Sequence, residues 1–139
     1  MKSTLRLMVL LSVFLVAWSS QATAQEEQES IISIYRVAPG QHIAFLQWMA
    51  NQEAAAQDAG VPAGQWYVHH NGDSWDYLQI SLDLPDEQDQ AVDAAAQARG
   101  LKTGGPAGIE LRQYVASHTD TFAGGPMTAS ELLAAAQGN

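Results

Sequence analysis

From Ser30 to Val37 the chain reads SIISIYRV, a β-branched and aromatic run that predicts a strand. Ala38-Pro39-Gly40 punctuates it. From Gln41 to Ala59 the apolar period lengthens to that of a helix. His42, Phe45, Met49 and Ala56 fall on one stripe, flanked by Leu46 and Trp48, while Gln47, Asn51 and Asp58 lie elsewhere. Gly60 followed by Pro62 stops that helix. Gln65–His70 (QWYVHH) and Trp75–Leu84 (WDYLQISLDL) then read as two strands around Asn71-Gly72-Asp73-Ser74, the signature of a tight hairpin.

Pro85-Asp86-Glu87 opens a second helix, since proline and acidic residues suit a first turn. It runs through Ala94-Ala95-Ala96 to the basic end and glycine stop at Arg99-Gly100. Beyond this point the pattern weakens. Gly104-Gly105-Pro106 reads as a loop, and Ile109–Ser117 (IELRQYVAS) fits strand alternation imperfectly while its Glu, Arg and Gln content permits a helix. The reading favours a helix there, followed by a short strand around Thr119–Ala123. Gly124-Gly125-Pro126 breaks the chain again, and Thr128-Ala129-Ser130-Glu131 is a capping box that opens a last helix over Ala129–Gln137.

The N-terminus carries a different kind of pattern. Lys2 and Arg6 precede an apolar run, Leu7–Trp18, that ends at the A-x-A site Ala22-Thr23-Ala24. This order predicts a secretory signal, residues 1–24, cleaved after Ala24, and a periplasmic or secreted product. The apolar run is shorter than the roughly 20 residues that a membrane span requires, so no stable membrane insertion is expected after cleavage. Removal of 24 of the 139 residues leaves 115, residues 25–139, enough for one domain with frayed residues at 25–29.

Charge narrows the partners. Lys2 and Arg6 leave with the signal and all fifteen acidic residues stay, so four basic residues face fifteen acidic ones and the formal charge becomes −11. Such a surface repels phosphate backbones and anionic lipid, which argues against nucleic-acid partners. With no cysteine, the domain has neither disulfides nor thiolate zinc sites, and packing or oligomerisation must hold it.

The element order is strand, helix, strand, strand, helix, strand, with an added C-terminal helix. This β-α-β-β-α-β pattern predicts an α+β, ferredoxin-like antiparallel sheet with helices on one face. The segment SIYRVAPGQHIAFLQWM and the following WYVHHNGDSWDYLQISL resemble the dimeric α/β-barrel superfamily, which includes NIPSNAP-like and antibiotic-biosynthesis-monooxygenase-like domains. The resemblance spans roughly Ser30–Gly100. It implies a homodimer whose two sheets face each other around a small cavity; the tail from Gly104 to Asn139 departs from the short form of that pattern.

Candidate chemistry gathers in two places. Alternation on the hairpin puts Trp66, Val68, His70, Trp75, Tyr77 and Gln79 on one face and Tyr67, His69, Asp76, Leu78, Ile80 and Leu82 on the other. Neither face is plainly solvent-like. The aromatic one predicts a cover, which is either a partner sheet, an apolar ligand held by Trp66, His70, Trp75 and Tyr77, or the terminal helix or long loop of this chain. His69 and Asp76 lie across the hairpin, where they form either a surface ion pair or a carboxylate-oriented base. The second cluster is Arg112 with Ser117-His118-Thr119-Asp120-Thr121. His118, with Asp120, is a candidate base and Arg112 an anchor for an oxyanion; the plain alternative is that these hydroxyls and Asp120 cap a turn.

His69 and His70 point to opposite faces of a strand and cannot share a metal, so no metal site is expected. There is no phosphate-cradling glycine loop, G-x-S-x-G or H-E-x-x-H, and no cofactor is expected. These features favour an exported domain that binds an uncharged or cationic small molecule in an aromatic-lined pocket. The alternatives are a cofactor-independent monooxygenase or isomerase with a histidine base, and an interaction module without chemistry.

Overall fold

The computed structural model describes residues 29–138; the signal expected over residues 1–24 and most of the stretch 25–29 expected to fray lie outside the described residues. Strand β1 (Ser30–Val37) organises everything else. Its apolar residues point both ways, so it belongs inside a sheet rather than at an edge. It pairs antiparallel with β3 (Tyr77–Leu82) on one side and β4 (Val115–Ala123) on the other, and β2 (Gln65–Val68) completes the order β2-β3-β1-β4. Helix α1 (His42–Asp58) follows β1, and α2 (Asp86–Ala98) follows β3 and packs on α1. This is the ferredoxin-like arrangement that the element order predicts.

The core forms where α1 crosses the sheet. Phe45, fully buried, sits 5.1 Å from the Tyr35 ring, 5.7 Å from Tyr77 and 6.4 Å from Trp66, measured between centroids. Val37 and Val115 close the cluster, with Met49, Leu111 and Tyr114 around it. At the outer end of α1, an exposed Arg99–Asp58 pair of 2.6 Å joins the C-termini of α1 and α2.

Three local features differ from the pattern-based expectation. The hairpin register is as anticipated, with Val68 opposite Tyr77 and Trp66 opposite Gln79, but the strands stop earlier and the connection is wide. The cause is Asp76. Its N–H donates to the Tyr35 carbonyl at 2.8 Å and its carboxylate accepts the Val37 N–H at 2.7 Å, which draws it towards β1 instead of across a tight turn. Second, Gly104-Gly105-Pro106 is the first turn of a helix, α3 (Gly104–Leu111), because a proline there lacks only a donor that has no intrahelical partner anyway. Third, β4 begins at Val115, inside the segment read as helical. Val115 is buried opposite Val37, and the Ala38 N–H donates to the Tyr114 carbonyl at 2.8 Å, so pairing with β1 overrides the mixed local pattern.

The last helix, α4 (Ala129–Ala136), is as read. Thr128 Oγ1 accepts the Glu131 N–H at 3.2 Å, and the Glu131 carboxylate accepts the Thr128 N–H at 2.6 Å. These Thr128 contacts hold the Glu131 carboxyl below its ordinary range. Every described residue of α4 is exposed.

Because Phe45 has no room to be replaced by neighbouring atoms, Phe45→Ala should lower the unfolding free energy by about 3–5 kcal/mol. Urea denaturation followed by circular dichroism measures this, and a loss under 1 kcal/mol would contradict the central role of Phe45.

Candidate functional site

The residues singled out in the sequence separate into three environments. Trp66 and Tyr77 lie on the sheet face covered by α1, inside the aromatic cluster around Phe45. The cover of this face is α1, which none of the anticipated covers named: not a partner sheet or a ligand, and not the terminal helix, which is exposed throughout. Glu53, on α1, fixes this arrangement by accepting from the Gly64 N–H at 3.0 Å and the Trp66 indole N–H at 3.4 Å. Gly64 is required there: a Cβ would stand 2.8 Å from Gln79 Nε2 and 3.2 Å from the Ile80 carbonyl oxygen. On the other flank the Tyr77 hydroxyl lies 3.4 Å from His42 Nδ1.

His69, His70 and Trp75 belong to the wide connection. His69 donates its backbone N–H to the Asp76 carbonyl at 2.9 Å and stacks at 5.0 Å on Trp75, while its Nε2 is buried without a hydrogen-bond partner. The Asp76 carboxylate is turned to Val37, and His70 is exposed.

The third environment is the edge strand β4. Alternation brings His118 and Asp120 to one side, with His118 Nε2 3.5 Å from Asp120 Oδ2. The His118 ring stacks at 6.1 Å on Tyr35, whose hydroxyl donates to Gln79 Oε1 at 3.4 Å. Burial pushes the Tyr35 phenol up, with Ser33 opposing through a hydrogen bond and Asp120 adding a smaller upward effect. Arg112, the C-cap of α3, is exposed and lies ahead of β4. Thus His118 and Asp120 come together, and the hairpin residues are divided between core and loop. Among the described residues no three of His, Cys, Asp or Glu are grouped to hold a metal ion, and no helix is long and apolar enough to cross a membrane.

Room for a ligand lies on the opposite face of the sheet. Ile32, Ile34, Leu78, Ile80, Leu82 and Tyr67 share that face by alternation, on the side away from the Phe45 core, with the exposed Arg36 at its far end. Ile34 is 38% exposed and Tyr67 50%. At one end a recess of about 450 Å³ is walled by Ile32, Ile80, Leu82 and Gln65 of the sheet and by two connections, Pro62-Ala63 and Gly124-Gly125-Pro126. None of the described lining residues is charged. Sequence reasoning passed over this face in favour of the aromatic one. The signal was present in β1, where Ile31, Ile32 and Ile34 leave no side of the strand polar.

The sequence matches no family model and no curated protein. Its fold is similar to that of SnoaB, a cofactor-independent oxygenase from Streptomyces nogalater, with 12% identity, 74% of this chain and 97% of that one covered, and a TM-score of 0.52. It is also similar to a dimeric protein of unknown function and ferredoxin-like fold from Bacteroides fragilis (15% identity, 72% and 98% covered, TM-score 0.41). A dimeric ferredoxin-like protein from an uncultured marine organism is a further match (9% identity, 72% and 88% covered, TM-score 0.44). At this level of identity the likeness to SnoaB is one of fold alone, the α+β ferredoxin-like sheet with its helices.

The buried Tyr35 makes an alkaline limit. Its folded pKa is raised above the ordinary value of 10.0, so its stabilising contribution is fully present below that value and lost as pH rises through the folded one. Melting temperatures taken across that range should fall, and Tyr35→Phe should flatten the fall; equal slopes in both proteins would refute the assignment.

Proposed function

We propose that this protein is exported and works as a homodimer that binds an uncharged, apolar small molecule between the open faces of its two sheets. One observation carries this reading: the aliphatic face of Ile32, Ile34, Leu78, Ile80 and Leu82, on which Ile34 and Tyr67 stand exposed, continues into the 450 Å³ recess. A contiguous apolar surface of this kind marks an interaction site. The recess lies in the size range of small-molecule sites, and its lining, free of charge among the described residues, selects against ions. Gln65, Ser30 and Ser81 supply the few polar groups that would orient the bound molecule. The ligand is thus assigned to the aliphatic face, Trp66 and Tyr77 of the hairpin being spent on the core.

The test uses residues 25–139 with native mass spectrometry and an uncharged fluorescent probe, Nile red. The wild type should be a dimer that binds Nile red. Ile34→Lys should yield monomers, and Ile80→Trp, which fills the recess, should remain a folded dimer and lose at least tenfold in Nile red affinity. A wild-type monomer overturns the dimer, and undiminished binding by Ile80→Trp overturns the site.

A second reading is favoured by the His118–Asp120 pair stacked beside the buried Tyr35. In this reading His118 takes a proton from a substrate C–H, without a cofactor, and Asp120 steadies the imidazolium that forms; dioxygen then oxidises the carbanion, one oxygen atom staying on the product and the other leaving as water. Incubating the protein in air with any molecule it retains from its host should then change that molecule's mass, and His118→Ala should stop the change. An unchanged mass with the wild type leaves binding alone.

A further inference from the structure

A second concavity, of about 380 Å³, lies on the helical side of the molecule and takes no part in the reading above. One wall is the stripe Ala44, Gln47, Trp48 and Asn51 of α1, spaced three and four residues apart and so on one side of the helix. The facing wall is Glu110 of α3 and Tyr114, and the Gly100-Leu101-Lys102 connection closes the end. Phe45 and Met49, on the neighbouring stripe, are occupied by the core. We propose that this groove binds a neutral saccharide.

The argument starts from the two aromatic rings. The Trp48 and Tyr114 centroids are 6.1 Å apart with planes inclined at 41°, which makes a shallow angled platform. Both rings are held before any ligand arrives. The Trp48 indole N–H donates to Glu110 Oε2 at 3.2 Å, and the Tyr114 side chain packs against the core cluster while its backbone is fixed by bonds to Ala38 and Leu111. Aromatic faces carry partial negative charge and attract the polarised C–H bonds of a pyranose, and a platform fixed in advance loses little entropy on binding.

Charge then decides among ligand classes. Lys102 Nζ lies 3.5 Å from Glu110 Oε1, so the groove's two charged groups answer each other. A cation would have to displace the lysine, and an anion would approach a domain, residues 25–139, of formal charge −11. A neutral polar molecule meets neither obstacle. Gln47 and Asn51 stand beside the platform joined by one long hydrogen bond of 3.4 Å, so most of their amide donors and acceptors are free for hydroxyl groups. An apolar platform edged by amides is the complement of a sugar ring, apolar on its faces and hydroxylated around its rim.

The experiment is a titration of residues 25–139 with cellobiose, chitobiose, maltose and lactose, each to about 20 mM, which reaches dissociation constants in the millimolar range. It is followed by the indole N–H resonances of Trp48, Trp66 and Trp75. At least one disaccharide should shift the Trp48 resonance in a saturable way and leave Trp66 unmoved. Asn51→Ala, at an exposed position, should weaken that binding at least fivefold with an unchanged melting temperature. Trp48→Leu should abolish it, as read on the backbone amides of Gln47 and Lys102. Absence of any Trp48 shift with all four sugars overturns the proposal, as does full affinity in Asn51→Ala. A parallel titration with glucosamine and glucuronate tests the charge argument; tighter binding of either than of glucose overturns the choice of a neutral ligand. Ile80→Trp should bind sugars like the wild type, so loss of the open-face site and loss of this one are read separately.

Discussion

The position of Phe45 determines what every other surface of this protein can do. With no disulfide to close the chain, the domain depends on apolar contact, and the deepest contact is this ring against Tyr35, Tyr77 and Trp66. By seating α1 on that side of the sheet, Phe45 uses up Trp66 and Tyr77 of the hairpin and Tyr35 of β1. The sheet is apolar on both sides, so satisfying one leaves the other. The open face of Ile32, Ile34, Leu78, Ile80 and Leu82 is the counterpart of the core, produced by the same alternation.

Much of this arrangement could be read from residue order alone. β1 and α1 were legible because Pro39-Gly40 separates a change of period that has no other explanation. α4 was legible because a capping box is a local device whose partners are three residues apart. The region from Gly104 to Ala123 was not. Whether Val115 belongs to a helix or a strand depends on Val37, far away in sequence, and on the hydrogen bond from Ala38 to Tyr114. Tertiary pairing decides such segments, and intrinsic preference does not.

The candidate site divides in the same way. Alternation correctly put Tyr67, Leu78, Ile80 and Leu82 together, yet which side a helix will cover is a three-dimensional fact with no signature in the hairpin itself. The aromatic side chains drew attention because aromatic residues serve both cores and ligands, and spacing cannot tell the two apart. Asp76 shows the difficulty on a smaller scale. Its position opposite His69 suggested a pair, but the unsatisfied N–H at the end of β1 offered a nearer claim on the carboxylate. The groove on the α1 flank was hidden for a simpler reason: Trp48 and Tyr114 are 66 positions apart and meet only after β4 has found β1.

The edges of the sheet have their own consequence. β2 is only four residues long, and β4 displays Ser117-His118-Thr119-Asp120-Thr121, polar throughout and with a carboxylate in its middle. A row of free backbone groups on an outer strand is a template for runaway strand addition, and short length or charge blunts it. A cysteine-free chain cannot lock its ends against such growth by covalent means. With both edges discouraged, the pairing proposed above through the Ile32, Ile34, Leu78 and Ile80 surface would close on itself and bury its contact, where strand addition would grow an open fibre.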